Sequence, residues 1–544
     1  MKTTLRFALI AALSLGLARN ALAEAAPVVT APVGVLKGEA AGPLHIFRGI
    51  PYAEAPTGDL RWKPPVTAGG WEGVRDATAF GPACYQPLPR TASIYADSPA
   101  AMSEDCLSLN VWAPENAQNA PVMVWIHGGS LTGGSGAETM YDGTALARRG
   151  IVVVSINYRL GILGYMAHPA LSAESADHVS GNYGLLDQIE ALRWVKRNIA
   201  SFGGDPENVA IAGESAGALS VMYLMAAPSA RGLFAKAIIE SGYMLSAPAL
   251  NEKRHGTESA ESVGVWLAGK LGAADLAGLR SMDARTLIDQ APLTGYFPFP
   301  TIDGKVVPEQ LVDIFDKGEQ APVPVLVGSN SGEIRSLMFL APPVPATAQD
   351  YIDAIRDRYG DLAKTYLKLY PPTDLHESII EEPRDALYSW TAQRIAIKQM
   401  AIGQPAYLYF WDHGYPAADQ AGLHGFHASE LPYVFGTNDR TPPAWPKVPD
   451  TDQAYVEAVN GYWAGFVLTG KPEAAGQAAW PAFADGKSYM HFAKTPKAAK
   501  NLLPGMYELH EEVVCRRRAQ GDQPWTWNFG IISPPLPPKA PGCQ

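Results

Sequence analysis

Residues Asn208-Val209-Ala210-Ile211-Ala212-Gly213-Glu214-Ser215-Ala216-Gly217-Ala218-Leu219 decide how this chain is read. An apolar run enters Gly-Glu-Ser-Ala-Gly, and small residues at helical spacing follow it. The pattern predicts a strand, a sharp turn with a serine at its tip, and a helix. Gly213 and Gly217 leave room where a side chain would collide with the neighbouring strand or helix. The pentapeptide alone is weak. With 52 glycines in 544 residues, chance supplies roughly 0.25 copies, so the surroundings must carry the argument.

On either side lie almost continuous apolar runs, the mark of strands buried on both faces. They are Val122 to His127, Ile151 to Tyr158, Ala235 to Ile239, Val323 to Gly328 and Ala406 to Trp411. Nearer the N-terminus, Val33 to Gly38 and Leu44 to Tyr52 read as short strands, and Leu107 to Trp112 alternates like one. Pro56 to Trp71 is rich in Pro and Gly and reads as irregular. Leu185, Leu186, Ile189, Leu192, Trp194, Val195 and Ile199 fall at helical spacing over residues 184–200. Strands alternating with helices predict an α/β fold with a large, mostly parallel central sheet flanked by helices. Residues 245–405 mix helical patterns with Pro-rich loops and are expected to be insertions forming the walls of a gorge. Residues 24–544 are read as one catalytic domain ending in a Pro-rich tail, 531–544.

Residues 1–23 read as a bacterial signal peptide. Lys2 and Arg6 precede a short apolar run, Phe7 to Ala18, and Ala21-Leu22-Ala23 is a small-x-small site that places the cut after Ala23. The rival is an uncleaved anchor, which Arg19 and Asn20 disfavour. No later stretch is apolar for the 18 or so residues a membrane span needs. The mature protein is therefore expected to be exported, to periplasm or medium, with no membrane span. A formal charge of -11 disfavours nucleic acid as a partner. Export permits disulfides. Cys84, Cys106, Cys515 and Cys543 allow three pairings, and nearness in sequence favours Cys84–Cys106 with Cys515–Cys543. None has a neighbour at metal-ligand spacing, so no metal site is expected.

A serine hydroxyl is a poor nucleophile until a base takes its proton, and a histidine base needs a carboxylate to hold its tautomer. In α/β-hydrolases the chain order is Ser, acid, His, with the partners in loops after sheet strands. After the strand at 323–328 comes Ser329-Asn330-Ser331-Gly332-Glu333. After the strand at 406–411 comes Gly425-Phe426-His427-Ala428-Ser429-Glu430. The order is right. Trp125-Ile126-His127-Gly128-Gly129-Ser130 ends a buried strand in small residues, where backbone N–H groups could face an oxyanion. The N–H of Ala216 would complete that set.

With these residues in place, the chain resembles the type-B carboxylesterases, the cholinesterase-like branch of the α/β-hydrolases. The likeness runs through Phe47-Arg48-Gly49-Ile50-Pro51-Tyr52-Ala53, Glu104-Asp105-Cys106-Leu107-Ser108-Leu109-Asn110-Val111, and Asn157-Tyr158-Arg159. It continues in Gly181 to Gln188, Phe202-Gly203-Gly204-Asp205-Pro206, the serine motif, and Glu430-Leu431-Pro432-Tyr433-Val434-Phe435-Gly436. The resemblance implies a triad of Ser215, Glu333 and His427. It also implies an oxyanion hole of Gly129, Ser130 and Ala216, a disulfide Cys84–Cys106 beside the gorge, and ion pairs Arg48–Glu104 and Arg159–Asp187. It implies hydrolysis of a small-molecule ester through an acyl-enzyme, with no cofactor. The natural substrate could then be a xenobiotic or a plant or fungal metabolite. Tyr296-Phe297-Pro298-Phe299 is one candidate for the pocket wall.

Other residues compete for these roles. His424 rivals His427, but the family spacing to Glu430-Leu431-Pro432 selects His427. Glu214 could tune the site but stands in the wrong order for the triad acid. His127 reads as a structural hydrogen-bonding residue, and Asp303 as a turn residue. Three positions depart from the family pattern: Ser130 for a third glycine, Ile334 for the glycine after the acid, and Tyr243 for the second serine of Ser-x-Ser. The rival function is a non-catalytic cholinesterase-like binding protein, in which a triad member is usually lost. A true cholinesterase is disfavoured because the segment from Cys84 to Cys106 holds Tyr85 and Tyr95 but no tryptophan to offer a cation its ring face.

Overall fold

The alternation within each apolar run sorts its side chains onto two faces of one sheet. The computed structural model describes residues 25–543 except 90–92, 96–97, 485 and 527. The expected signal segment, 1–23, lies outside the described residues. Eleven strands form the sheet: β1 (Glu39–Ala40), β2 (Leu44–Pro51), β3 (Ser108–Pro114), β4 (Ala120–Ile126), β5 (Val152–Ile156), β6 (Gly204–Glu214), β7 (Lys236–Glu240), β8 (Val325–Asn330), β9 (Ala406–Trp411), β10 (Ser488–Phe492) and β11 (Pro496–Lys500). Their spatial order departs from chain order only where β5 lies between β3 and β4. The strands from β5 through β4 and β6 to β10 are parallel, and antiparallel strands complete both edges. This is the expected α/β-hydrolase arrangement.

Val122, Val124 and Ile126 of β4, with Val209 and Ile211 of β6, enter one core, while Met123, Trp125, Ala210 and Ala212 enter the other. Helices α1 (Tyr183–Asn198), α2 (Ala216–Ala226), α3 (Leu375–Arg384), α4 (Trp390–Ala401), α5 (Gln453–Thr469) and α6 (Met506–Gln520) pack around this frame. α1, α2, α4 and α6 feed the first core, and α5 feeds the second with Val459, Trp463 and Phe466. Each large apolar side chain so buried contributes about 1.5–3 kcal/mol relative to exposure, which is why both faces carry helices. Residues 245–405 are mostly short helices and loops interrupted by β8.

Two boundaries move for physical reasons. The strand expected from Val323 begins at Val325, because Pro324 has no N–H to give the ladder. The run ending at Tyr158 leaves the sheet after Ile156, and the Asn157 side chain then bonds the Gly136 N–H and the Cys106 carbonyl. Both disulfides, Cys84–Cys106 and Cys515–Cys543, are formed. The second pins the Pro-rich tail to α6.

One expected ion pair is corrected. Arg48 does not meet Glu104. A register shift between Phe47 and Ile50, with Gly49 at φ 65°, turns Arg48 toward the sheet edge, where it bonds Glu39 and the Thr78 carbonyl. Glu104 is taken by Arg61, bidentate at 2.7 and 2.6 Å. Arg159–Asp187 forms as expected, at 2.8 and 2.7 Å and almost wholly buried.

Candidate active site

Ser215 joins β6 to α2 at φ 56° and ψ -119°, a conformation that costs a residue with a side chain about 1–3 kcal/mol. The packing leaves it no alternative. A Cβ on Gly217 would lie 2.0 Å from the Ile126 carbonyl oxygen of β4, and one on Gly213 would lie 2.5 Å from the Gly217 carbonyl carbon. The Ser215 N–H donates to the Glu240 carbonyl of β7 at 2.9 Å. The tip is therefore held by strands on both sides.

Glu333 opens the single turn Glu333–Ser336 just after β8 and is fully buried. One carboxylate oxygen accepts the Asn330 N–H at 2.8 Å, and the other lies 2.5 Å from His427 Nδ1. The acid and histidine loops are laced together by backbone. The Ser331 N–H donates to the Trp411 carbonyl and the Gly332 N–H to the Gly425 carbonyl, both at 2.8 Å. Asn330 Nδ2 adds a bond to the Phe426 carbonyl at 2.8 Å. The carbonyl of His427 accepts the Tyr95 hydroxyl at 2.6 Å, and Ser336 Oγ accepts the His427 N–H at 3.3 Å. Tyr95 sits in the segment closed by Cys84–Cys106, which ties that disulfide to the histidine.

The far side of the imidazole departs from expectation. His427 Nε2 lies 3.0 Å from Glu214 Oε1, and the Ser215 hydroxyl bonds no described residue. Nucleophile–base hydrogen bonds are often long before substrate arrives. Burial, then the nearby Glu333 and Glu138 carboxylates, push the Glu214 carboxyl well above the ordinary range. An imidazolium formed at His427 would stand between two acidic groups.

Gly128, Gly129 and Ser130 curl away from the end of β4. A Cβ on Gly128 would touch the Glu214 carbonyl at 2.9 Å and Ser215 Cβ at 3.3 Å, so this loop packs on the elbow. Gly129 has φ 99° and Ser130 φ 56°. Ser130 thus adopts a left-handed turn conformation despite its side chain. The N–H groups of Gly129, Ser130 and Ala216 donate to no described residue, which leaves unspent donors on the elbow and on the loop packed against it. His127 is buried and neutral: burial pushes its pKa down to about 4. Its ring stacks on Tyr158 at 4.5 Å, and its Nδ1 lies 2.8 Å from the Gly128 carbonyl. It supports the loop, as expected.

His424 pairs with Asp419 at 2.8 Å on the surface. Asp303 accepts the N–H groups of Lys305, Val306 and Val307, a turn residue as read. Phe297 is exposed. Sequence reasoning missed Asn330, Ser336 and Tyr388. Ser336 had one available signal, its i+3 spacing from Glu333 on a turn. Among the described residues no cluster of His, Cys, Asp and Glu could hold a metal ion, and no helix is long and apolar enough to cross a membrane.

A family model described as the carboxylesterase family matches residues 25–509. The chain is 34% identical over 480 residues to fumonisin B1 esterase of Sphingopyxis macrogoltabida, covering 85% of each. It is 36% identical over 471 residues to para-nitrobenzyl esterase of Bacillus subtilis, covering 84% of this chain and 92% of that one. A solved PNB esterase superposes with a TM-score of 0.76 at 33% identity, over 89% of this chain and 99% of the other.

Proposed function

The chain belongs to the carboxylesterase family and is a carboxylic ester hydrolase; from that premise we propose that it works through an acyl-enzyme formed on Ser215. The observation that carries the reading is Glu333 Oε2 at 2.5 Å from His427 Nδ1, in loops that converge beside the strained serine. In this reading Ser215 Oγ takes the place of Glu214 Oε1 as the partner of His427 Nε2 when substrate binds. Ser215 Oγ attacks the ester carbonyl as Nε2 takes its proton, and Glu333 holds Nδ1–H and stabilises the imidazolium. The N–H groups of Gly129, Ser130 and Ala216 receive the oxyanion, a contribution on the order of 3 kcal/mol per donor. His427 returns the proton to the departing alcohol, then draws one from water to release the acid. The chemistry needs no cofactor or metal.

Ser215→Ala is expected to abolish turnover of an aryl ester while the thermal melt stays that of a folded protein. Near wild-type turnover in that variant would remove Ser215 from the mechanism. An organophosphate should label Ser215 covalently. Folded protein that resists labelling would favour the rival reading, a non-catalytic binding protein.

The relatives named for fumonisin B1 and para-nitrobenzyl esters support a xenobiotic or a plant or fungal metabolite ester as substrate. Residues 24–544 are read as one catalytic domain exported after removal of residues 1–23. Two disulfides and the lack of a long apolar helix among the described residues accord with that. The N-terminal sequence of the exported protein tests it.

A further inference from the structure

Two of the three departures from the family pattern meet at one place. Ile334, following the acid, and Tyr243, beyond β7, pack in one cluster with Leu387 and Tyr388, flanked by Leu245 and Leu337. The Tyr388 ring lies 5.4 Å from the His427 ring, and the Tyr243 ring meets Tyr388 edge-on at 5.8 Å. Tyr388 belongs to a π-turn, Asp385–Ser389, between α3 and α4. Pro383 precedes it within α3 and cannot give an N–H to the helical ladder. Such π-turns re-aim side chains and recur at functional sites. Ser389 Oγ contacts Ser329 Oγ of β8 at 3.1 Å, and Thr391 Oγ1 accepts the Met244 N–H at 3.0 Å. The turn is thereby fastened to the acid strand and to the tyrosine loop.

Tyr95, the third phenol around His427, spends its hydroxyl on the His427 carbonyl and Ser336. The other two do not. Neither the Tyr243 nor the Tyr388 hydroxyl bonds a described residue, and neither is among the sealed, unpartnered polar atoms of the interior, so each keeps a little accessible surface although Tyr388 is buried and Tyr243 half-buried. Burial keeps both phenols protonated, with the Glu333 and Glu214 carboxylates adding to the effect at Tyr388 and Glu214 at Tyr243. They are hydrogen-bond donors in an otherwise apolar cluster beside His427.

We infer that Tyr243 and Tyr388 are specificity-determining residues that select esters carrying a second hydrogen-bond acceptor, such as a carbonyl, carboxylate or ether oxygen, near the scissile bond. A plain alkyl ester would leave both donors without a partner once water is displaced, which a site built to donate penalises. The inference rests on the ester-hydrolase reading and names the substrate class for that site.

The test uses matched ester pairs of equal length, one member with an added carbonyl or carboxylate and one without. The added group is placed on the acyl side in one pair and on the alcohol side in the other. Wild type, Tyr243→Phe, Tyr388→Phe and the double variant are compared. Wild type should prefer the acceptor-bearing member of one pair. That kcat/KM ratio should fall roughly fivefold per hydroxyl removed, mainly through KM, and the pair that responds tells which half of the ester faces the cluster. A ratio unchanged in both single variants overturns the inference while leaving the hydrolase reading intact. Wild type hydrolysing neither member of any pair would defeat both. As a second measurement free of variants, the acceptor-bearing product should inhibit wild-type turnover of a plain aryl ester more strongly than its plain counterpart. Equal inhibition on both sides counts against the inference.

Discussion

Asn330 holds the site together from the end of β8. Its N–H goes to Glu333, and its Nδ2 goes to the Phe426 carbonyl and to Glu430 Oε2. One residue thus fixes the acid and the backbone just before His427. Asn330→Ala leaves a buried carbonyl and a buried carboxyl without that donor, a loss of about 1–3 kcal/mol. The expected result is a drop in kcat of about tenfold or more and a lower melting temperature, read from steady-state kinetics and calorimetry. A variant with wild-type kcat would show that the two loops hold register without it. Glu333 and His427 were legible in the sequence because chemistry dictates both their type and their order after strands. Asn330 was not, because an asparagine in a loop looks like any turn former until its partners are seen. Arg61 escaped for a similar reason. Nothing local distinguishes it from Arg48 as the partner of Glu104, and the register shift before Ile50 decides the matter.

At the level of elements, the elbow is fixed by close approach rather than by bonds. Gly217 leaves no space for a methyl against the β4 carbonyl at Ile126. Gly217→Ala must push α2 away from β4 and carry Ser215 with it. Because a misplacement of about 1 Å costs on the order of a hundredfold, we expect kcat/KM on an aryl ester to fall at least that far. Overpacking alone would also cost about 1–3 kcal/mol of stability. A variant keeping full activity would show the elbow to be softer than its packing indicates. The strands around the elbow were legible because strands buried on both faces must be apolar throughout. The outer elements were not. β11 reads Pro-Lys-Ala-Ala-Lys, with no apolar pattern, and finds its place only by pairing with β10. Tyr388 was hidden because a π-turn has no sequence period of its own, and its aim depends on Pro383 and on two side-chain bonds from distant segments.

Across the whole molecule, buried ionisable groups set opposing pH slopes on stability. His127 and His510 are held neutral by burial, with pKa pushed down to about 4 from 6.5. Their folded values lie below the unfolded one, so the unfolded chain binds more protons in that window, and stability falls as pH drops through it. Glu214, Glu240 and Glu382 are pushed up, chiefly by burial. Their contribution is complete at low pH and is lost as pH rises through the raised values. A difference between two proteins isolates one slope. Going from about pH 7 to pH 5, His510→Gln should gain about 2 kcal/mol relative to wild type, read from chemical unfolding at each pH. Parallel losses in both proteins would mean His510 carries no such penalty.

The sheet's eleven strands are open at both ends, and open ends invite another chain's backbone to add itself. Here β1 is only two residues long. β11 starts with a proline that offers no donor and carries Lys497 and Lys500 on its exposed rim. A second molecule that tried to extend this edge would have to desolvate those ammonium groups and bring like charges face to face. The two polar outer strands, unremarkable in sequence, thus disfavour edge-to-edge pairing of this large sheet with a second copy of itself.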